Sequence, residues 1–127
     1  MTVNFSELMA QALEACNSVS VDEAKALAQQ SDVKFVDVRD LNELQDGGKI
    51  KGAIHASRGM LEFLIAPESP YYNKEFDNAQ NTRYVVYCMS GGRSALATAR
   101  MKEMGYPHVY TLDGGFKAWC SADGECE

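Results

Sequence analysis

The sequence predicts an α/β fold with a mostly parallel central sheet and helices on both faces. Three observations predict it. Short apolar runs alternate with segments of helical character, the pattern left by parallel strands joined through crossover helices. The run Tyr84-Val85-Val86-Tyr87 is wholly β-branched and aromatic, so it reads as a buried strand. The chain has 127 residues, 46% hydrophobic and 24% charged, enough for one domain, residues 1–127, with a real core.

The elements follow in order. Phe5, Leu8, Met9, Ala12, Leu13 and Cys16 share one helical face, with Asn4 as cap and Glu7 three residues on. This helix is expected to pack through that face, with Cys16 as a core thiol, and residues 1–17 form an amino-terminal helical extension. A second helix starts after Ser20, where Glu23 completes a capping box, and runs through Ala24, Leu27 and Ala28. Lys34-Phe35-Val36-Asp37-Val38-Arg39 is the first core strand expected. Leu41-Asn42-Glu43-Leu44 is helical and ends at Gly47-Gly48. Ala53-Ile54-His55-Ala56 is a short strand, and Met60-Leu61-Glu62-Phe63-Leu64 a helical turn or two. Residues 67–82 are the least regular stretch, either a surface loop or a partial cover over a site. Tyr84–Tyr87 and His108–Leu112 are strands, and a helix over Ser94–Met104 lies between them. That helix stops at Gly105, with Pro107 beyond. Asp113-Gly114-Gly115 then turns into Phe116-Lys117-Ala118-Trp119, where Trp119 reads as core. There is no internal repeat and no low-complexity segment.

A net charge of −6 and a pI near 4.9 argue against nucleic acid or an anionic membrane as partner. An anionic substrate would need local positive groups, Arg93 foremost. The amino terminus does not read as a signal peptide, and no apolar run approaches membrane-spanning length. The expected location is cytoplasmic. Cys120 and Cys126 could form a tail disulfide or part of a metal site. They lack Cys-x-x-Cys spacing and nearby histidines, so free thiols, no metal and no cofactor are the expectation.

The most informative segment is Cys88-Met89-Ser90-Gly91-Gly92-Arg93-Ser94. It lies at the carboxyl end of a strand and feeds a helix amino terminus, where sites fall in parallel sheets. Backbone N–H groups of such a loop and the helix dipole favour a thiolate. Gly91 and Gly92 let the loop curl around an anion. The expected nucleophile is Cys88. The expected substrate-binding groups are Met89, Ser90, Gly91, Gly92, Arg93 and Ser94.

The chain resembles the rhodanese-like sulfurtransferase family from about Ser20 to Trp119. Four pieces carry the likeness: Asp37-Val38-Arg39-Asp40 with Glu43; Ile50-Lys51-Gly52-Ala53-Ile54-His55-Ala56; the loop Cys88–Ser94, as Cys-x-x-Gly-x-Arg-Ser; and Leu112-Asp113-Gly114-Gly115-Phe116 with Trp119. Arg58-Gly59-Met60-Leu61-Glu62-Phe63 resembles a bacterial single-domain subgroup, which places Arg58 towards substrate. The resemblance implies a Cys88 persulfide, loaded by thiosulfate or a persulfide donor and unloaded by a thiol or cyanide. A protein persulfide partner and a redox-sensing role stand as alternatives.

Cysteine phosphatases and arsenate reductases also join a cysteine loop to an arginine. Their loop is one residue longer, and Tyr87 stands where their histidine usually precedes the cysteine. The shorter loop suits one sulfur atom, so sulfur transfer ranks above oxyanion hydrolysis. Arg93 either binds the donor or fixes the loop through a carboxylate such as Asp37. Arg39 reads as structural, paired with Glu43, and His55 as a hydrogen-bonded core residue. Tyr71 and Tyr72 read as loop packing. Cys120 or Cys126 could take sulfur from Cys88 or resolve it.

Overall fold

The computed structural model describes residues 2–127. Asn4 accepts from the Glu7 N–H and starts α1, Phe5–Ala15. β1 is Asn17–Val19. The Ser20/Glu23 capping box opens α2, Val21–Leu27, and such a cap contributes about 1 kcal/mol. β2 is Val33–Asp37, α3 Leu41–Gly47 and β3 Ile54–His55. A 3₁₀ turn at Arg58–Met60 leads into α4, Leu61–Ile65. Two further 3₁₀ turns precede β4, Arg83–Tyr87. α5 is Gly92–Glu103, β5 Val109–Leu112 and α6 Gly115–Ser121.

The five strands form one parallel sheet in the order β1-β5-β4-β2-β3. The fold is therefore the α/β class expected. β4 lies at the centre, paired with β2 on one side and β5 on the other. Its side chains alternate between two cores. Tyr84 and Val86 join Val36, Leu61, Ile65, Phe76, Ala97 and Met101, beneath α4 and α5. Val85 and Tyr87 join Phe35, Ala24, Phe116 and Trp119, beneath α2 and α6. Full burial of each large side chain contributes about 2–3 kcal/mol, which is why this strand positions whatever follows it.

The expected packing of α1 is only partly realised. Ala12 is buried and Met9 half-buried, but Phe5 is 75% and Leu13 59% exposed, and Leu8 is exposed too. The apolar stripe is wider than the strip of α5 that receives it. Cys16 is half-buried, and its thiol donates to the Ala95 carbonyl at 3.1 Å. β1 has no counterpart in the sequence reading. It is a three-residue edge strand with a single buried side chain, too short and too polar to show a period. The core strand also ends two residues earlier than expected, at Asp37.

Residues 67–82 do not cover the carboxyl end of the sheet. Phe76 stacks on Tyr84 at 5.5 Å and Lys34 Nζ donates to the Glu75 carbonyl, which places this stretch at the amino end of β4. Tyr71 is exposed and meets Phe63 edge-on. The carboxyl tail returns to the body. Cys126 bridges Ile50, Glu127 and Lys49 exchange backbone hydrogen bonds, and the Trp119 indole N–H donates to the Glu125 carbonyl. Among the described residues no helix is long and apolar enough to cross a membrane.

Candidate active site

β4 delivers Cys88 to the carboxyl end of the sheet. The loop is held from behind by the first turn of α6. The Phe116 N–H donates to the Cys88 carbonyl at 2.8 Å, and the Lys117 N–H donates to the Met89 carbonyl at 3.1 Å. This approach requires glycine. Gly114 and Gly115 have φ of 75° and 62°, and a Cβ on Gly115 would lie 2.6 Å from both the Cys88 and Met89 carbonyl oxygens. The loop itself turns at Gly91, where φ is 125°.

Cys88 is 1% exposed. Burial pushes its thiol up, yet the net shift is downward. The Ser94 N–H, the Ser94 hydroxyl and the Gly91 and Ser90 N–H groups together outweigh burial by stabilising the thiolate. The Gly91 N–H points at the sulfur from 3.1 Å, and the Ser94 hydroxyl lies 3.7 Å away. The sulfur opens into a hollow of about 270 Å³ lined by Phe5, Met9, Ser90, Gly92, Arg93 and Leu96. An adjoining hollow of about 280 Å³ brings in Leu13, Gly91 and Thr111. One wall of the mouth is thus α1. Phe5 and Met9 were legible only as members of an apolar stripe, and nothing in that stripe distinguishes a pocket wall from core.

Three arginines resolve differently from their sequence reading. Asp37 pairs with Arg39, both fully buried, through contacts of 2.8–3.2 Å, and Arg39 also donates to the Gly48 carbonyl at 2.7 Å. The Arg39 guanidinium sits 4.3 Å over the Phe116 ring. Glu43 pairs instead with Arg93, in a two-pronged contact at 2.6 and 3.1 Å. That guanidinium holds the Glu43 carboxyl down at about 2. Arg93 therefore lines the hollow while anchored to α3. Arg58 pairs with Glu62 at 3.0 Å, and Glu62 also meets Arg100. Arg58 lines a separate groove between α1 and α5, with Leu8, Ala12 and Arg100, and is not among the residues around Cys88. Of the loop residues, Ser90, Gly92 and Arg93 line the hollow, and Gly91 and Ser94 address the sulfur. Met89 contributes its backbone carbonyl to the α6 contact. His55 is held by a 2.7 Å contact between its Nε2 and the Arg39 carbonyl oxygen.

Thr111, at the end of β5, is a site residue the sequence did not mark. Its hydroxyl lies 2.8 Å from the Ser94 hydroxyl, which also reaches the Gly91 carbonyl at 3.1 Å. Ser94 has one proton to share between the Gly91 carbonyl and the thiolate, and with Thr111 as donor none of it is spent on Thr111. Thr111→Val should remove that donor, weaken the Ser94 hydroxyl as a donor to the thiolate and raise the Cys88 pKa. The pH dependence of iodoacetamide alkylation measures this, and Thr111→Ser should restore the original midpoint.

Among the described residues no group of three or more His, Cys, Asp or Glu side chains is arranged to hold a metal ion. Residues 20–122 match the rhodanese-like domain family. Thiosulfate sulfurtransferase GlpE of Pseudoalteromonas translucida is 31% identical over 111 residues, covering 87% of this chain and 95% of that one. The polysulfide-sulfur transferase homodimer of Wolinella succinogenes superposes with a TM-score of 0.78 at 30% identity, over 97% of this chain and 86% of that one. A Rhodopseudomonas palustris structure, described as a protein of unknown function and possible tyrosine phosphatase, gives a TM-score of 0.92 at 38% identity. That match covers 100% of this chain and 96% of the other.

Proposed function

The chain belongs to the rhodanese-like domain family, and from that premise we propose that it moves sulfane sulfur through a persulfide on Cys88, from thiosulfate or a persulfide donor to a thiol or cyanide acceptor. The observation that carries this reading is the Cys88 sulfur. It is buried at a strand end, faced by the Gly91 N–H at 3.1 Å, and open to a small hollow.

The Cys88 thiolate attacks the outer sulfur of thiosulfate. A Cys–S bond forms, the S–S bond of the donor breaks, and sulfite leaves with the electron pair. The terminal sulfur of the persulfide is anionic, and the loop N–H groups that stabilise the thiolate are aimed at the same region. An acceptor thiolate or cyanide then attacks that outer sulfur, and Cys88 leaves as thiolate. The groups that lower the Cys88 pKa make it a better leaving group in this second step.

Phosphate hydrolysis is the competing chemistry, and the description of the Rhodopseudomonas structure keeps it in view. Four residues separate Cys88 from Arg93, and Arg93 is bound in both prongs to Glu43. A phosphate would have to displace that carboxylate. Mass spectrometry after thiosulfate treatment tests the proposal. The Cys88 peptide should gain one sulfur atom, and the protein should hydrolyse aryl phosphates poorly or not at all. An unmodified Cys88 with brisk phosphatase turnover would reverse the ranking.

A carrier role, with a protein as donor or acceptor, is favoured by one feature. The mouth is rimmed by exposed Phe5 and Leu13 and by half-buried Met9, more apolar surface than an inorganic donor requires. The arginines separate binding from support. Arg93→Ala should lower kcat/KM for thiosulfate by about tenfold or more, because it unties the loop from α3 and leaves the Glu43 carboxylate unpaired to repel an anionic donor. Arg58→Ala should change it by less than about threefold, since its charge is already met by Glu62 in another groove. Steady-state kinetics on both variants measures the difference.

A further inference from the structure

Cys120, in the last turn of α6, and Cys126, in the carboxyl tail, bring their sulfur atoms to 3.9 Å. Both are exposed free thiols. Their approach is built into the backbone. The Gly124 N–H donates to the Trp119 carbonyl at 2.9 Å, the Trp119 indole N–H donates to the Glu125 carbonyl at 3.0 Å, and Lys51 and Lys49 hold the tail on either side of Cys126. Gly124 itself lies against Trp119, where a Cβ would come 2.2 Å from the indole ring. The turn between the two cysteines is therefore moulded around a core tryptophan, and the thiols face each other without a covalent link. Closing them to a disulfide requires the sulfurs to move about 2 Å nearer, within the reach of side-chain rotation.

Neither thiol lines the hollows at Cys88. The Cys88 carbonyl is bound by the first turn of α6, and Cys120 lies in its last turn. The pair is a place apart from the persulfide site.

We propose that Cys120 and Cys126 form a second sulfur-handling site, a dithiol that takes sulfane sulfur from inorganic polysulfide, releases it as sulfide and closes to a disulfide. The Cys120 thiolate attacks the terminal sulfur of the polysulfide, and a polysulfide shorter by one sulfur leaves with the electron pair. Cys120 then carries a persulfide. Cys126 gives up its proton, and its thiolate attacks the carbon-bound sulfur of Cys120. The Cys120–Cys126 bond forms and hydrosulfide leaves with the electron pair of the broken S–S bond. Two thiols are oxidised by two electrons and one sulfane sulfur is reduced to sulfide. Burial, then the hydrogen bond and charge of Cys120, push the Cys126 thiol up. Cys126 is thereby the poorer first nucleophile and is placed as the resolving thiol.

The test uses the full chain carrying Cys88→Ser, so that its outcome is independent of the Cys88 proposal. Reduced protein is mixed with sodium polysulfide without air. Sulfide release, intact mass and the fluorescence of Trp119, the single tryptophan, are followed. The expected result is about one sulfide per chain, loss of two hydrogens on the peptide holding both cysteines, and a fluorescence change reversed by dithiothreitol. Adding Cys126→Ser should leave a persulfide on Cys120 and cut sulfide release by about tenfold or more. Two thiols that remain free to alkylation after polysulfide, or sulfide release unchanged by Cys126→Ser, would overturn the proposal.

Discussion

Cys88→Ser is expected to abolish sulfur loading from thiosulfate, to below about one ten-thousandth of the parent rate. A serine hydroxyl at the same place is not ionised near neutral pH. The N–H groups that favour a thiolate are not enough to make an alkoxide, and a hard oxygen is a poor nucleophile for sulfane sulfur. The substitution is nearly isosteric, and Gly91 N–H and Ser94 can hydrogen-bond oxygen as they do sulfur. The variant should therefore fold and melt like the parent, so that lost loading reports chemistry. Cys16→Ser, Cys120→Ser and Cys126→Ser should each keep loading from thiosulfate. Cys16 is tied to the Ala95 carbonyl, and burial first among its causes pushes its thiol up. Cys120 and Cys126 lie outside the hollow. Mass spectrometry of the four variants after thiosulfate measures the whole set. Loading retained by Cys88→Ser would remove Cys88 from the reaction.

The strands that carry the site were legible because they are buried on both sides. Tyr84–Tyr87 and Phe35-Val36 have no polar face to blur the pattern, and the glycine loop after Tyr87 is punctuated at both ends. The loop sequence also fixes what Gly91 and Ser94 do, since their roles depend on near neighbours in the chain. Contacts across the sheet were not legible. Glu43 was assigned to Arg39 and Asp37 was offered to Arg93, but the structure pairs them the other way. A sequence shows charges without saying which helix end faces which strand end. Thr111 is one polar residue in a strand, and its hydroxyl matters only because β5 lies beside α5. The apolar stripe of α1 carried the opposite error. Periodicity reports how wide a face is, and only the partner surface decides how much of it is covered, so Phe5 and Met9 became walls of a hollow.

Gly115→Ala should be the most damaging change outside Cys88 itself. The residue sits at φ 62°, where a side chain is already strained by about 1–2 kcal/mol. Its Cβ would lie 2.6 Å from the carbonyl oxygens of both Cys88 and Met89, and neither is the end of a flexible side chain. Something in the backbone must retreat. The nearest things holding it are the Phe116 and Lys117 N–H contacts to those same carbonyls, each contributing about 1 kcal/mol. Losing both on top of the strain gives a destabilisation of about 3–4 kcal/mol, or a fall in Tm on the order of 10 °C for a domain of this size. The effect on chemistry should exceed the effect on folding. The Cys88 carbonyl is pinned by α6 on one side while its sulfur takes the Gly91 N–H on the other, so a displaced backbone moves the nucleophile out of its donors. Cys88 should then titrate closer to an ordinary thiol, and sulfur loading should drop about a hundredfold at a temperature where the variant is still folded. Gly59→Ala, at a position where a Cβ meets nothing within 4 Å and φ is not positive, is the control and should change neither quantity. A thermal melt, an alkylation profile against pH and a loading rate on the two variants decide the matter. If Gly115→Ala lost stability but kept the parent alkylation midpoint, α6 would brace the fold without positioning Cys88.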